Sequence, residues 1–178
     1  MRIPKTLYFL LTKRRTMKRS LLLFVAIIAC AIATSAQGLK KVYDETINTK
    51  TQIDSALADA VSQNKFVICQ VGGNWCPWCL RFAQFIVDDA EIASLIEQNF
   101  VYIHVNYSRS DKSEATAATM ARLGSPQRFG FPVFVVLDAQ GKVLHIQDSS
   151  FLESGKSYDR EKVLRFLRCW TPKALGIK

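Results

Sequence analysis

The chain has 178 residues, with 24 Lys and Arg against 15 Asp and Glu, for a net charge of +9. Seven of the basic residues and none of the acidic ones fall in the first 36 positions, so the rest is almost neutral and gives no support to nucleic-acid binding or a basic membrane patch. The 142 residues from Gln37 onward suffice for one domain with a single sizeable core and leave no room for a second.

Lys18-Arg19, the apolar run from Leu21 to Ala33 and the small residues Thr34-Ser35-Ala36 read as a secretory signal with cleavage after Ala36. Residues 1–36 are therefore expected to be a signal peptide. Residues 1–16 add nothing to a signal that begins at Met17, the candidate true start. The apolar run is about 13 residues, short for a transmembrane helix. Ile27-Ile28-Ala29-Cys30 loosely resembles a lipoprotein cleavage box, which would lipidate Cys30 and tether the domain to a membrane. The run continues past Cys30 to a good cut, which favours the ordinary signal. Arg14-Arg15 lacks the Phe-Leu that follows a twin-arginine pair, and the Leu/Ile-rich centre also argues against that export route.

Residues 37–49 form a polar lead-in, with an edge strand expected at Lys41–Tyr43 and no function assigned. From Thr51 to Asn64 the residues Ile53, Ala56, Leu57, Ala60 and Val61 make an apolar helical stripe. The run Phe66 to Val71 is continuously apolar apart from Gln70, the signature of a strand buried on both faces. Gly72-Gly73-Asn74 turns the chain into Trp75-Cys76-Pro77-Trp78-Cys79, the opening of a helix whose residues Leu80, Phe82, Ala83, Phe85, Ile86 and Val87 face the core.

A Cys-x-x-Cys between a strand and a helix is first a redox site. Cys76 in the first turn faces free N–H groups and the positive end of the helix dipole, which favour the thiolate that attacks disulfides. Pro77 suits a first turn because it needs no N–H there. Cys79 lies on the same face and can close a disulfide with Cys76. A zinc half-site would need two more ligands from Cys69, Cys169, His104 and His145, which show no ligand spacing, so no metal is expected. A permanent disulfide is the other alternative, and its tiny loop would constrain the unfolded chain little.

Asp88-Asp89 can cap a further helix through Gln98. A strand over Phe100–Val105 and a small-residue helix over Ser113 to Leu123 follow, stopped by Gly124-Ser125-Pro126. Val133–Leu137 and Lys142–Gln147 flank a hairpin turn at Asp138-Ala139-Gln140-Gly141. The last helix spans Asp159 to Trp170 with Val163, Leu164, Phe166 and Leu167 inward. Cys69 and Cys169 are read as core packing, and His104 and His145 receive no catalytic role.

Trp75 before the first cysteine, the strand Val101 to Asn106 and Gly130-Phe131-Pro132-Val133-Phe134 together resemble the thioredoxin superfamily over about residues 50–170. Within it the chain looks most like exported bacterial proteins, including the electron-delivering domain of periplasmic thiol:disulfide interchange proteins. The resemblance implies an α/β thioredoxin-like fold over residues 50–172, a central mixed sheet flanked by helices, with 173–178 as a tail. It implies a periplasmic thiol–disulfide oxidoreductase, more a reductase than an oxidase, with Cys76 and Cys79 catalytic and no cofactor. A non-catalytic binding or redox-sensing module is the alternative. Implied partners are protein thiols and disulfides and a membrane electron donor, with no nucleic acid and a monomeric chain. Trp75, Pro77, Trp78, Phe131 and Pro132 are the candidate substrate-binding residues, and the Phe131–Pro132 bond is expected to be cis. One position departs from the family. Gln70 stands where thioredoxins bury an aspartate six residues before the first cysteine, and an amide cannot be the base for the second thiol. Either water or another group deprotonates Cys79, or the protein works more slowly or on a different redox task.

Overall fold

The computed structural model describes residues 38–177. The expected signal segment, with Arg14-Arg15 and Cys30, lies outside the described residues. Helix α1 spans Thr49–Gln63. It begins two residues before the expected start because the Asn48 side chain caps it, accepting from the Thr51 N–H, and it ends at Asn64, whose left-handed backbone turns its N–H onto the Ala60 and Val61 carbonyls. Ile53, Ala56 and Ala60 are buried as expected, but Val61 is 57% exposed. Val61 sits about 80° round the helix from Ile53, at the edge of the stripe.

Strand β1, Phe66–Gly72, is buried along its whole length. It lies inside a four-stranded mixed sheet of order β2-β1-β3-β4. Strand β2, Phe100–Asn106, runs parallel to it with Gln70 opposite His104. Strand β3, Val133–Leu137, runs antiparallel with Val71 opposite Val133. Strand β4, Val143–Asp148, returns from the expected turn, where Asp138 Oδ1 accepts from the Gln140 and Lys142 N–H groups.

Helix α2 is Pro77–Asp88 and helix α3 is Ala90–Asn99. Helix α4 is Glu114–Arg122 and helix α5 is Arg160–Cys169. The period-two alternation of β1 builds a core on each face of the sheet. Phe66 and Ile68 meet Phe82, Ile86, Ile92 and Phe166 on one side. Val67, Cys69 and Val71 meet Ile53, Ala56 and Met120 on the other. The result is α/β with a central mixed sheet flanked by helices, as the sequence implies.

Three further expectations need correction, and one element goes unanticipated. Lys41–Tyr43 is not a strand, because the Val42 and Tyr43 N–H groups both donate to Asn74 Oδ1 at 3.1 Å, and a side-chain amide takes the place of a neighbouring strand. Val87 is 70% exposed, being one residue and about 100° past buried Ile86. Cys169 is exposed, since it falls on the side of α5 away from Val163 and Leu167. A two-stranded ribbon, β5 at Glu153–Ser154 with β6 at Ser157–Tyr158, carries too few residues for any period to announce it. Among the described residues no helix is long and apolar enough to cross a membrane.

Candidate active site

Strand β1 delivers the chain to the Cys76–Cys79 pair through Gly72 and Gly73, and α2 starts there. Cys76 is the N-cap of α2, its extended backbone preceding Pro77 at the first helical position. Its sulfur accepts from the Cys79 N–H at 3.2 Å, so it occupies the place a capping oxygen takes elsewhere. The Cys76 and Cys79 sulfurs are at disulfide distance, with Cα atoms 5.2 Å apart. Cys76 keeps 5% of its surface and Cys79 none, so Cys76 is more covered than an accessible thiol is expected to be. The Phe131 carbonyl oxygen contributes to that cover, lying 3.7 Å from Cys76 Sγ.

The Phe131–Pro132 bond is cis. Pro132 is buried and Phe131 half-buried, the latter stacked on Tyr107 at 4.9 Å. Trp75 is 41% exposed, with its Nε1–H donated to the Tyr107 carbonyl and its ring edge-on to Phe131. It therefore belongs to the rim and does not pack beneath the motif. The Arg109 guanidinium covers its face at 4.4 Å. Pro77 is exposed, and Trp78 lies half-buried between the Arg81 guanidinium and Tyr158.

Gln70 is fully buried beneath the pair. Its Nε2 donates to the Cys79 carbonyl at 2.9 Å and to the Tyr43 hydroxyl at 2.6 Å, and its Oε1 accepts from the Tyr102 hydroxyl at 2.6 Å. Burial pushes the Tyr43 and Tyr102 hydroxyls well above the usual phenol range. It also lowers His104 to about 4 and raises the Cys69 thiol to about 12, so Cys69 on the far face of the sheet is inert. Tyr43 and Tyr158 belong to the site and carry no sequence signal. Tyr43 comes from the unpatterned lead-in, and Tyr158, from the short ribbon, donates its hydroxyl to the Trp78 carbonyl at 3.0 Å.

A pair of sulfurs at a helix start, one capping the helix and one sealed behind it, can exchange two electrons with another dithiol or disulfide. The profile of a family described as "Thioredox_DsbH: Protein of unknown function, DUF255" matches residues 31–171. The chain belongs to that family. No curated protein matches it. The solved disulphide isomerase from Xylella fastidiosa Temecula1 is similar with a TM-score of 0.63 at 23% identity, over 73% of this chain and 96% of that one. A thioredoxin from Thermus thermophilus follows at TM-score 0.49 and 23% identity, over 69% and 88% of the two chains. A DsbH oxidoreductase follows at 0.47 and 18%, over 82% and 92%. The family and the first of these folds place the chain in the thioredoxin superfamily, with a disulfide-oxidoreductase type of fold around Cys76 and Cys79.

Proposed function

We propose that the protein is an exported, periplasmic thiol–disulfide oxidoreductase that acts as a monomeric reductase of protein disulfides and is recharged by a membrane electron donor. Residues 1–36 serve as its signal peptide and residues 50–172 as its working domain. The observation that carries the reading is the position of Cys76 as the cap of α2, which gives its sulfur a backbone N–H and the positive end of the helix. Reduced Cys76 attacks a substrate disulfide as the thiolate, and the substrate's other sulfur leaves. Cys79 then attacks Cys76 Sγ, re-forming the internal disulfide and releasing the second substrate thiol. Trp75, Pro77, Trp78, Phe131 and Pro132 form the receiving surface, a role supported by the Phe131 carbonyl beside Cys76 Sγ and the Trp75 ring against Phe131. The sequence resemblance to the electron-delivering domains of periplasmic interchange proteins supports the reducing direction.

A Cys79→Ser variant expressed in the periplasm is expected to accumulate mixed disulfides through Cys76, where a binding module would accumulate none. Equilibration of the Cys76–Cys79 couple with glutathione tests the direction. A potential at or below about −230 mV fits a reductase, while one near −120 mV, the oxidising end of the scale, would reverse the assignment.

A further inference from the structure

We propose that Tyr43, from the lead-in segment, donates a hydrogen bond to the Cys79 thiolate during resolution and so stabilises that thiolate in a chain that lacks the buried carboxylate base. The proposal rests on the oxidoreductase reading above. In the step concerned, Cys79 loses its proton to solvent and the thiolate attacks Cys76 Sγ. The Cys76–Cys79 bond forms, the bond from Cys76 to the substrate sulfur breaks, and the substrate departs as thiolate. The dithiol loses two electrons and the substrate disulfide gains them.

The direction of every hydrogen bond around Gln70 is set by its neighbours. The Cys79 carbonyl can only accept, so the Gln70 atom 2.9 Å from it must be the amide nitrogen. The second hydrogen of that nitrogen goes to Tyr43, whose hydroxyl oxygen is therefore an acceptor at 2.6 Å. An amide nitrogen offers no lone pair in return. The Tyr43 O–H hydrogen consequently points elsewhere.

Gly72 shows where it can point. A Cβ on Gly72 would stand 2.5 Å from Cys79 Sγ and 2.8 Å from the Tyr43 hydroxyl oxygen, so the two atoms converge on one bare spot of β1. Their separation cannot exceed those distances combined. Tyr43, Cys76, Cys79 and Leu80 form one buried cluster there. In so dry a site a sulfur anion gains from a fixed neutral donor, and Tyr43, held by burial above the phenol range, keeps its proton to give.

The other titratable groups facing the spot do not compete. The Tyr102 hydroxyl is committed to Gln70, and the Tyr158 hydroxyl to the Trp78 carbonyl. His104, edge-on to Tyr43 at 5.3 Å, is held neutral by burial. Glu45 is exposed and takes the Asn74 Nδ2–H, and Arg81 lies over the Trp78 ring. Cys76 is the reaction partner.

The test is a two-step reaction of the reduced protein with Ellman's reagent in a Cys169→Ser background, which removes the exposed third thiol. The first thionitrobenzoate reports attack by Cys76 and the second reports resolution by Cys79. Tyr43→Phe is expected to leave the first release and its pH dependence unchanged. It should slow the second about tenfold near neutral pH and raise its pH midpoint by about one pH unit. Replacing Tyr43 by 3-fluorotyrosine keeps the bulk and strengthens the donor, and should lower that midpoint. This opposite movement is one that a packing role would not produce. An unchanged midpoint in both variants, or equal slowing of both releases, overturns the proposal. A parent protein with no second release overturns the oxidoreductase reading itself, and this inference falls with it.

Discussion

Gln70 holds three neighbours at once: the Cys79 backbone, Tyr43 and Tyr102. An aspartate there would lose both N–H donors and bury a carboxyl group whose pKa desolvation raises toward the range useful for proton transfer. Gln70→Asp is therefore expected to speed Cys79 resolution near neutral pH several-fold. It should also cost about 2–3 kcal/mol of stability for the unmade hydrogen bonds and the buried acid, a fall of roughly 10 °C in melting temperature. An unchanged rate and pH profile would mean that position 70 has no access to the Cys79 proton. At this scale the sequence is legible where chemistry is local. Cys76, Pro77 and Cys79 are read from the motif and its place between a strand and a helix, and Gln70 only through the resemblance to thioredoxins, which place an aspartate there. Tyr43 is not legible, because its partner Gln70 is 27 residues away and no pattern in a polar lead-in announces a buried hydroxyl. Cys169 reads wrongly as core because its apolar neighbours in α5 point the other way.

Helices with several turns declare themselves by period, and their caps by residue type. Asp89 is the instance that can be measured. Its Oδ1 accepts from the Glu91 and Ile92 N–H groups at 3.0 Å each, which starts α3 directly after α2 ends. Its Oδ2 meets the Arg160 Nε at 2.7 Å, tying the start of α3 to α5. The Arg160 side chain is 44% exposed, so solvent weakens the pair and the cap dominates. Asp89→Ala is expected to destabilise the domain by about 1–2 kcal/mol with an unchanged denaturant slope and an unchanged Cys76–Cys79 potential. A shifted potential would show that α3 is coupled to the start of α2. Elements of two residues carry no period, so the β5–β6 ribbon escapes a sequence reading although it places Tyr158 against Trp78 and Phe82. The lead-in escapes for a different reason. Asn74 satisfies its backbone with one side chain, a pairing that alternation of apolar residues cannot express.

Across the whole molecule, one half-buried group ties the stability of the sheet to pH. His104 on β2 stands opposite Gln70, between the rings of Tyr43 and Tyr102, and its Nε2 is buried with no hydrogen-bond partner. Burial lowers its pKa from 6.5 to about 4 in the folded state. Above pH 6.5 the ring is neutral whether the chain is folded or not, and stability is complete. As pH falls from 6.5 to 4 the unfolded chain takes up a proton that the folded chain refuses, so stability declines. The loss is no more than about 3.5 kcal/mol, because each tenfold difference in proton affinity between the two states is worth about 1.4 kcal/mol, and below pH 4 it grows no further. Hydrogen bonds from Lys50 and Arg122 hold Asp54 below its usual range, and those from the Ile92 N–H and Arg160 do the same for Asp89. Bonds from Arg160 lower Glu91 and bonds from Thr116 lower Asp111. These carboxylates act in the other window: their contribution is complete above the unfolded values near 4 and is lost only below them. The two windows barely overlap, so the interval from pH 6.5 to about 4.5 belongs to the histidine. Urea midpoints of the disulfide form are expected to fall across that interval in the parent protein. In His104→Phe, which keeps an aromatic ring between the two tyrosines and cannot titrate, they should stay level. Parallel decline in both proteins would assign the acid sensitivity to some other group and leave the half-buried imidazole without a share in it.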